Sequence, residues 1–332
     1  MIKKVIIVSF GSIGKRHFEV AKQILPKAEF RVLKSGKTSE FTSEVSLIFE
    51  DLSQALEFKP DIAVLANPSP YHIDVGIEFA KIGSHLLIEK PISNRSDTIN
   101  EFREIVKKNN IVVSVGYNLK FSTSLQFLKK MLDEGKIGKI YSVQCTVGQY
   151  LPDWRPGKDY RESVSAKKNL GGGVLLELSH EINYLSWLFG KIDSLVCLSE
   201  KNSDLDIDVE DSANLLLKIK LSSSNDLLIQ LRMDFIRRDP HRSCTIIGES
   251  GTLIWDYISG KIEIYDSIER KWKVLFSQVP ERNETYIAEW KDFIKSIETH
   301  SNPLTTYKEA YETLQVVEAA RASNGNLIEV NY

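Results

Sequence analysis

The sequence predicts an α/β protein, with an N-terminal doubly wound parallel sheet followed by a C-terminal α+β domain built on a large, mostly antiparallel sheet. In the first third, apolar runs such as KVIIVSF, IAVLAN and HLLIEK alternate with segments of helical periodicity. This alternation is typical of a parallel sheet covered by helices on both faces. After Tyr117 it gives way to strand-rich segments, from KIYSVQCTVGQY to TLIWDY. We therefore expect two domains, 1–119 and 120–332.

The elements of the first domain are predicted in a regular order. Strands are expected at 4–10, 30–35, 62–67, 85–90 and 111–117. Between them, KRHFEVAKQIL, SQALEF, HIDVGIEFAKIG and RSDTINEFREIVKKNN carry apolar residues at helical spacing. In the second domain, strands are expected within SLVCLSEK, SANLLLKIKLS, DLLIQLRMDF and SCTIIGES, whose pattern indicates a sheet with one packed face.

Composition and charge exclude several classes of protein. Apolar residues make up 42% and charged residues 27% of the chain, and no apolar stretch reaches the length of about 20 residues that a membrane helix needs. The formal net charge of −2 and the lack of a long basic stripe argue against nucleic-acid binding. Three widely spaced cysteines, Cys145, Cys197 and Cys244, predict neither a disulfide framework nor a metal site. The N-terminus lacks a signal-peptide cleavage site, so we expect a cytoplasmic protein.

A glycine-containing turn, SFGSIG at 9–14, separates the first predicted strand from a predicted helix. The dinucleotide fingerprint GxGxxG uses its first glycine for a tight turn, its second for close approach to a pyrophosphate and its third for packing of helix on strand. Gly11 and Gly14 take the second and third places, and Ser9 takes the first, where a small residue suffices if its φ is not positive. The context predicts a Rossmann-type cofactor site, with the pyrophosphate over the amides of Ser12, Ile13 and Gly14.

The residues after the second strand bear on the choice between NAD and NADP. NAD-specific folds place an Asp or Glu about 20 residues beyond the glycines, where it binds the ribose 2′-hydroxyl. This sequence has Lys34, Ser35 and Lys37 there instead. Two lysines and a serine suit a 2′-phosphate, which favours NADP. The alternative is that both lysines belong to a surface turn and that the cofactor is NAD.

Longer blocks of the sequence resemble the Gfo/Idh/MocA oxidoreductase family. They are ANPSPYHIDVGIEFAKIGSHLLIEKPIS at 66–93, LGGGVLLELSHEINYLSWLFG at 170–190, CTIIGESGTLIWD at 244–256 and PLTTYKEAYETLQVVEAARASN at 303–324. The resemblance runs through nearly the whole chain. It implies hydride transfer between NAD(P) and a hydroxyl or ketone of a sugar-like substrate, by a homodimer or homotetramer. It also implies cofactor contacts from Asn67, Pro68, His72 and Glu89.

The candidate catalytic residues are Lys90, His180 and Glu177. Lys90 follows a predicted strand, so it lies at the sheet edge where ligands bind, and it can polarise the reacting oxygen. His180 is expected near one helix face with Glu177 and Asn183, and it can act as acid or base, although a structural helix histidine has the same pattern. Family members commonly carry an Asp four residues before this histidine and another three after it. Here either Glu177 takes the first role or Lys90 and His180 work without that acid.

A long polar loop, LPDWRPGKDYRESVSAKKN at 151–169, is predicted to contact substrate. The candidate contacts in this loop, together with two residues outside it, are Trp154, Arg155, Tyr160, Arg161, Lys120 and Asn183. Its arginines and the basic turn at 237–242 predict an anionic substrate, such as a nucleotide-activated or acidic sugar of cell-surface glycan synthesis, although a solvent-facing loop would look similar. The altered acids around His180 keep a second functional class open, a nucleotide-binding sensor or regulatory protein without turnover.

Overall fold

The computed structural model describes residues 2–34, 48–221 and 226–332. The chain forms two compact units, one of Met1–Asn118 with Asn283–Tyr311 and one of Leu119–Arg282 with Glu312–Tyr332. The division expected from the sequence placed 283–311 in the second domain, whereas the structure groups this segment with the first unit. The reason is packing, because Trp290 and Phe293 are buried in the same apolar cluster as the first strand.

The first unit is built on a parallel sheet, which has six strands in the part of the chain that the structure describes. Numbered along the chain, the strands are β1 (Lys4–Val8), β2 (Glu29–Leu33), β3 (Ile48–Phe49), β4 (Ile62–Leu65), β5 (His85–Ile88) and β6 (Val113–Val115). Their order in the sheet is β3-β2-β1-β4-β5-β6. This is the order of a doubly wound Rossmann sheet, whose topological switch point lies between β1 and β4. The predicted fold class of the N-terminal part is confirmed.

Five helices, in the described residues, belong to this unit: α1 (Ser12–Ile24), α2 (Leu52–Glu57), α3 (His72–Lys81), α4 (Ile99–Lys108) and α8 (Glu284–Thr299). Each residue of β4 is fully buried, as expected for a strand with helices on both faces. Helix α1 buries Phe18 and Ala21 against the sheet, and α8 adds Trp290 to the same cluster. Helix α8 was not among the predicted elements.

The second unit is built on a sheet of nine strands within the described residues. They are β7 (Ile140–Gly148), β8 (Ser194–Glu200), β9 (Ser212–Ile219), β10 (Leu227–Asp234), β11 (His241–Gly248), β12 (Gly251–Asp256), β13 (Lys261–Asp266), β14 (Lys271–Ser277) and β15 (Ile328–Glu329). The order is β14-β13-β12-β11-β7-β10-β9-β8-β15. Strands β7 and β10 run parallel, and the neighbouring pair of β7 with β11 is antiparallel. The mostly antiparallel sheet that the sequence predicts is therefore confirmed.

Helices cover one face of this sheet. They include α5 (Thr123–Asp133), α6 (Val174–Glu177), α7 (His180–Phe189) and the last helix of the chain, α9 (Tyr307–Ser323). Trp255 of β12 is fully buried and donates a hydrogen bond to Ser124 Oγ of α5 at 2.9 Å. The ring of Tyr184 from α7 lies 5.5 Å from the Trp255 ring, centroid to centroid. Within the described ranges, none of the helices has the length and apolar character needed to cross a bilayer.

Candidate active site

The carboxyl ends of the first unit's strands meet at one sheet edge. Val8 pairs with both Leu33 and Leu65, and Leu65 pairs with Ile88. The residues that follow these strands therefore lie side by side, and the amides of Ser9 and Glu89 still donate to strand carbonyls at 2.9 Å. Ligands of open parallel sheets bind at this edge. The structure thus brings together the predicted cofactor residues that follow β1, β4 and β5.

The glycine turn differs from expectation at its first residue. Ser9 has a φ of 73°, so it adopts the left-handed conformation that the sequence interpretation assumed it would avoid. Its carbonyl oxygen then points at Gly14, where a Cβ would lie only 2.2 Å away. A Cβ on Gly11 would have no atom of the described residues within 4 Å. No side chain of the described residues caps α1 at Gly11, so its first amides are open to an anion.

The residue at the end of β2 is Lys34, and its ammonium group is paired. Its Nζ lies 3.4 Å from the Glu50 carboxylate, which follows β3. The sequence analysis did not identify Glu50, because the pair joins residues at the ends of two strands rather than neighbours along the chain. Ser35 and Lys37, the other two residues of this prediction, lie outside the described residues.

The loop after β4 carries Asn67, Pro68 and His72. His72 is buried, with Nε2 2.7 Å from the Asn67 carbonyl and Nδ1 3.0 Å from the Pro91 carbonyl. Burial lowers the pKa of His72, so the ring is neutral and donates to one of these carbonyls. Its contacts join two loops of the sheet edge. The Asn67 Oδ1 atom is buried and has no hydrogen-bond partner among the described residues.

Glu89 and Lys90 follow β5. Glu89 Oε1 accepts a hydrogen bond from His17 Nε2 at 2.8 Å, and Oε2 accepts one from the Lys90 amide at 3.1 Å. Burial would raise the pKa of Glu89, but these hydrogen bonds and the Lys90 charge leave it lowered. Lys90 itself is half-buried at the sheet edge. The sequence interpretation did not include His17, a helix residue 72 positions away from Glu89.

In the second unit, the segment predicted to form one catalytic helix forms two separate helices. α6 ends at Glu177 and α7 begins at His180, so the expected single face through Glu177, His180 and Asn183 is interrupted. Between Gly171 and Leu185, Glu177 and His180 are the two residues that are not buried. The Asn183 amide is buried and donates to Thr313 Oγ1 of α9 at 3.0 Å. Glu177 and His180 are thus partly accessible, with the Nδ1 atom of His180 buried, whereas Asn183 is hydrogen-bonded within the core.

The three glycines before α6 are required by the packing of the chain on itself. Gly171 and Gly173 have φ values of 82° and 105°. A Cβ on Gly172 would lie 2.5 Å from the Val164 carbonyl oxygen, and one on Gly173 would lie 2.5 Å from the Glu210 carboxylate. The sequence interpretation was that these glycines let the chain approach a ligand. The structure gives a closer reason, since the segment 164–167 and Glu210 occupy that space.

The polar loop at 151–169 consists largely of short 3₁₀ turns, and several of its predicted substrate groups bind within the protein. The Trp154 indole donates to the Gln149 carbonyl at 3.1 Å, and the Tyr160 hydroxyl accepts from the Asp206 amide at 3.1 Å. Arg161 makes a two-pronged contact with Asp159, at 2.9 and 2.6 Å. Arg155 is exposed. Lys120 is 1% exposed, with its Nζ 6.0 Å from the centre of the Trp187 ring.

Two of the three arginines in the basic turn at 237–242 are paired with carboxylates, whereas Arg238 is exposed and lies 3.6 Å from the centre of the Tyr150 ring. Arg237 contacts Asp239 through two atoms, at 3.0 and 2.9 Å. Arg242 donates to the fully buried Glu181 at 2.7 Å, a pair that the sequence analysis missed because the partners are 61 residues apart. Burial would lower the pKa of Arg242, and the Glu181 carboxylate reverses this and leaves it raised. Among the described residues, no group of three or more His, Cys, Asp or Glu is placed to hold a metal ion.

Comparison with known proteins agrees with this architecture. Residues 3–117 match the family described as "Oxidoreductase family, NAD-binding Rossmann fold", and residues 125–254 match "GFO/IDH/MocA C-terminal domain". A levoglucosan dehydrogenase from Pseudarthrobacter phenanthrenivorans is 31% identical in an alignment that spans 41% of this chain and 35% of that enzyme. A myo-inositol 2-dehydrogenase from Thermotoga maritima is 21% identical over 96% of this chain and 95% of its own.

Among solved structures, a levoglucosan dehydrogenase in complex with NADH and levoglucosan superposes with a TM-score of 0.84. It is 18% identical in sequence, and the superposition covers 99% of each chain. At this identity the likeness shows a shared fold. The family matches to both parts of the sequence establish that the chain belongs to the Gfo/Idh/MocA oxidoreductase family.

Proposed function

We propose that this protein is an NAD(P)-dependent oxidoreductase that transfers a hydride between the nicotinamide ring and a hydroxyl or ketone of a sugar-like substrate. The observation that carries the proposal is the position of Lys90 directly after β5, at the sheet edge that also holds the glycine turn. The uncapped first turn of α1 suits a pyrophosphate, and the buried Asn67 Oδ1 lacks a partner that a dinucleotide can supply. These features fit a dinucleotide cofactor.

The chain's own residues would divide the chemistry as follows. The bound cofactor accepts or donates the hydride. Lys90 donates a hydrogen bond to the reacting oxygen and stabilises the negative charge that develops on it. His180 takes or returns the hydroxyl proton, and Glu177 stabilises the imidazolium that forms. Both residues are partly exposed in a segment whose other members are buried, which is what a proton-transfer group needs.

The choice between NAD and NADP depends on Lys34 and Glu50. Lys34 favours a 2′-phosphate, as the sequence analysis expected, but the Glu50 carboxylate 3.4 Å away already offsets its charge. The same carboxylate can accept a hydrogen bond from a 2′-hydroxyl. We therefore propose that the protein accepts both cofactors, with Lys34 responsible for binding NADPH and Glu50 for binding NADH.

The substrate is proposed to be a neutral sugar or cyclitol. Of the arginines behind the prediction of an anionic substrate, Arg155 and Arg238 are exposed, whereas Arg161, Arg237 and Arg242 are each paired with a carboxylate of the same unit. Binding a sugar phosphate or carboxylate through them would require breaking those pairs. The names of two relatives, a levoglucosan dehydrogenase and a myo-inositol 2-dehydrogenase, agree with a neutral polyhydroxylated substrate. A nucleotide-activated or acidic sugar, as expected from the sequence, stays the second candidate, and the substrate screen below decides between the two.

We also propose a homodimer or homotetramer. The face of the nine-stranded sheet opposite Trp255 exposes large apolar side chains. They are Leu198, Leu216, Leu228, Ile247, Trp272 and Val274, each between 37% and 56% exposed. These apolar side chains are distributed over five strands of one exposed sheet face, and exposed apolar groups on such a face mark a protein interface. A second copy of the chain is the proposed occupant.

The direct test is a screen for reduction of NAD⁺ and NADP⁺ by purified protein. The panel contains neutral sugars and cyclitols, including levoglucosan and myo-inositol, and matched nucleotide-linked and acidic sugars. Lys90→Met and His180→Asn variants serve as controls for the same site. We expect turnover with at least one neutral member and its loss in both variants. Binding of NADH without turnover on any member would instead support the sensor class.

A further inference from the structure

Three residues that meet beside Lys90 form an unbroken chain of hydrogen bonds. The Trp290 indole of α8 donates to His17 Nδ1 at 3.1 Å, and His17 Nε2 lies 2.8 Å from Glu89 Oε1. An indole N–H is only a donor, so Nδ1 of His17 must be the acceptor and the ring hydrogen must lie on Nε2. His17 therefore donates to Glu89 as a neutral ring. Trp290 fixes which tautomer His17 adopts.

The far end of this chain reaches the main chain of Lys90. Glu89 Oε2 accepts the Lys90 amide at 3.1 Å, while Oε1 is held by His17. The carboxylate is confined from the other side by β6, because a Cβ on Gly116 would lie 3.0 Å from Oε2. His17 is fully buried and Glu89 side-chain exposure is 12%. Each oxygen of the Glu89 carboxylate therefore accepts a hydrogen bond, one from His17 and one from the Lys90 amide.

We propose that Trp290, His17 and Glu89 act as a relay that fixes the backbone of Lys90, and that His17 and Trp290 are positioning residues for hydride transfer. This inference rests on the proposed function, since it assigns a purpose to the placement of Lys90. It requires Glu89 to remain a carboxylate, because each of its oxygens accepts a hydrogen bond. The other titratable groups that face Glu89 are His72 of α3, Lys90 on its own strand, and Tyr286 and Glu289 of α8.

The relay itself is tested without turnover, by nitrogen-15 NMR of histidine-labelled full-length protein. The expected signal for His17 is the Nε2–H tautomer, with Nδ1 as the acceptor. In Trp290→Phe, which keeps an aromatic ring but removes the donor, His17 should gain an Nδ1-protonated population. An imidazolium or Nδ1–H form in the unmodified protein, or no change in Trp290→Phe, would overturn the relay.

The positioning role is tested by a matched pair of substitutions. His17→Gln keeps an N–H donor for Glu89, and His17→Phe keeps bulk without one. We expect His17→Phe to lose about tenfold or more in kcat, with NADH affinity within about threefold and the acid limb of the pH profile moved to higher pH. His17→Gln should keep most of kcat and the original profile. Equal losses in both variants with an unchanged profile would show a packing role and contradict the proposal.

The NMR and kinetic experiments together distinguish failure of the relay from failure of the proposed function. If the unmodified protein oxidises no sugar, the proposed function fails, and the NMR result alone decides whether the relay exists. If His17→Phe does not fold, Trp290→Phe takes its place in the kinetic comparison. It should show the same shift in the acid limb with a smaller loss of kcat, and a profile identical to that of the unmodified protein would contradict the proposal.

Discussion

The carbonyl oxygen of Ser9 occupies the space that a side chain on Gly14 would need, since a Cβ there would lie 2.2 Å from it. The left-handed backbone of Ser9 directs that carbonyl toward the helix. The first and third positions of the turn are therefore coupled. Ser9 takes a conformation that a glycine would adopt at lower cost, and Gly14 must be glycine because of it.

This coupling predicts different outcomes at the two glycines of the turn. Gly14→Ala should lower the free energy of unfolding by roughly 2 kcal/mol or more, because the contact is with backbone that cannot rotate away. Gly11→Ala should change stability little, since a Cβ there meets no described atom within 4 Å, but it should weaken NADH binding. Thermal unfolding and fluorescence titration measure the two effects. Equal destabilisation by both substitutions would contradict this account of the turn.

Lys34 and Glu50 are predicted to set the preference between cofactors. Lys34→Ala should weaken NADPH binding by about tenfold while leaving NADH within about threefold, because one charge-assisted contact to phosphate is lost. Glu50→Gln should do the reverse, weakening NADH and strengthening NADPH. Each variant is titrated with both NADH and NADPH, so that its loss of affinity for one cofactor is compared with its affinity for the other. A preference that neither substitution alters would mean that the pair is ordinary surface charge.

Glu289 predicts a specific dependence of stability on pH. Its side chain is fully buried, and neither carboxyl oxygen has a hydrogen-bond partner among the described residues. Burial raises the pKa of Glu289 well above its usual value, and the charges of Glu89 and Asp292 raise it further. The protonated group is therefore favourable below the unfolded-state pKa. That contribution is lost as pH rises toward the folded-state pKa, at about 1.4 kcal/mol per pH unit.

A Glu289→Gln variant removes this titration. Its melting temperature relative to the unmodified protein should rise steadily between about pH 5 and about pH 8, because glutamine cannot ionise. Glu269→Gln serves as the control and should show no such trend, because hydrogen bonds from Lys271 and Lys273 lower the pKa of Glu269 and keep it ionised across this range. A pH-independent difference between Glu289→Gln and the unmodified protein would show that Glu289 is already ionised in the folded state.

Removing only one partner of the buried Glu181–Arg242 ion pair is predicted to lower the free energy of unfolding strongly. Glu181 is fully buried, so Glu181→Ala leaves a largely buried guanidinium without its carboxylate and should cost about 3–5 kcal/mol. The double variant Glu181→Leu with Arg242→Met should cost much less, because no uncompensated charge remains. Urea unfolding measures both. A double variant as unstable as the single one would indicate that packing, rather than charge, dominates here.

The exposed apolar face of the second sheet predicts the oligomeric state. Leu216 of β9 and Leu228 of β10 are diagonal neighbours on this face and are 41% and 46% exposed. Replacing both with glutamate should convert the proposed oligomer to a monomer, as measured by light scattering during size-exclusion chromatography. Glutamate at both Gln23 and Asn302, which are exposed polar positions of the first unit, is the matched control. A monomeric unmodified protein would contradict the proposed interface.

The parts of the fold that the sequence predicted are those specified by local pattern. Apolar strands, helical periodicity and the glycine turn are each contained in a short segment, so five of the six strands of the first sheet were expected, whereas the two-residue strand β3 was not. Helix α8 was not predicted as part of the first unit. Its Trp290 and Phe293 pack in the same apolar cluster as residues of β1, which lie far away along the chain. The break between Glu177 and His180 was missed because the segment's apolar pattern continues across it.

In the candidate site too, local sequence pattern predicted some features, whereas contacts between distant residues determine the others. The positions of Lys90, Glu89 and Gly11 followed from the ends of predicted strands. The partners that modify their chemistry did not, because His17, Trp290 and Glu50 reach them only through the fold. Likewise, the sequence predicted an anionic substrate from Arg161 of the polar loop and from the basic turn at 237–242, because the pairing of Arg161, Arg237 and Arg242 with Asp159, Asp239 and Glu181 is visible only in three dimensions.

The central claim is that Lys90 and His180 act on one hydride transfer, and a double-mutant cycle tests it most directly. NADH binding and kcat are measured for Lys90→Met, His180→Asn and the double variant, with a neutral sugar identified in the screen. The account predicts near-normal NADH binding in all three, and a loss in the double variant well below the product of the two single losses. Full activity in either single variant, or strictly multiplicative losses, would contradict it.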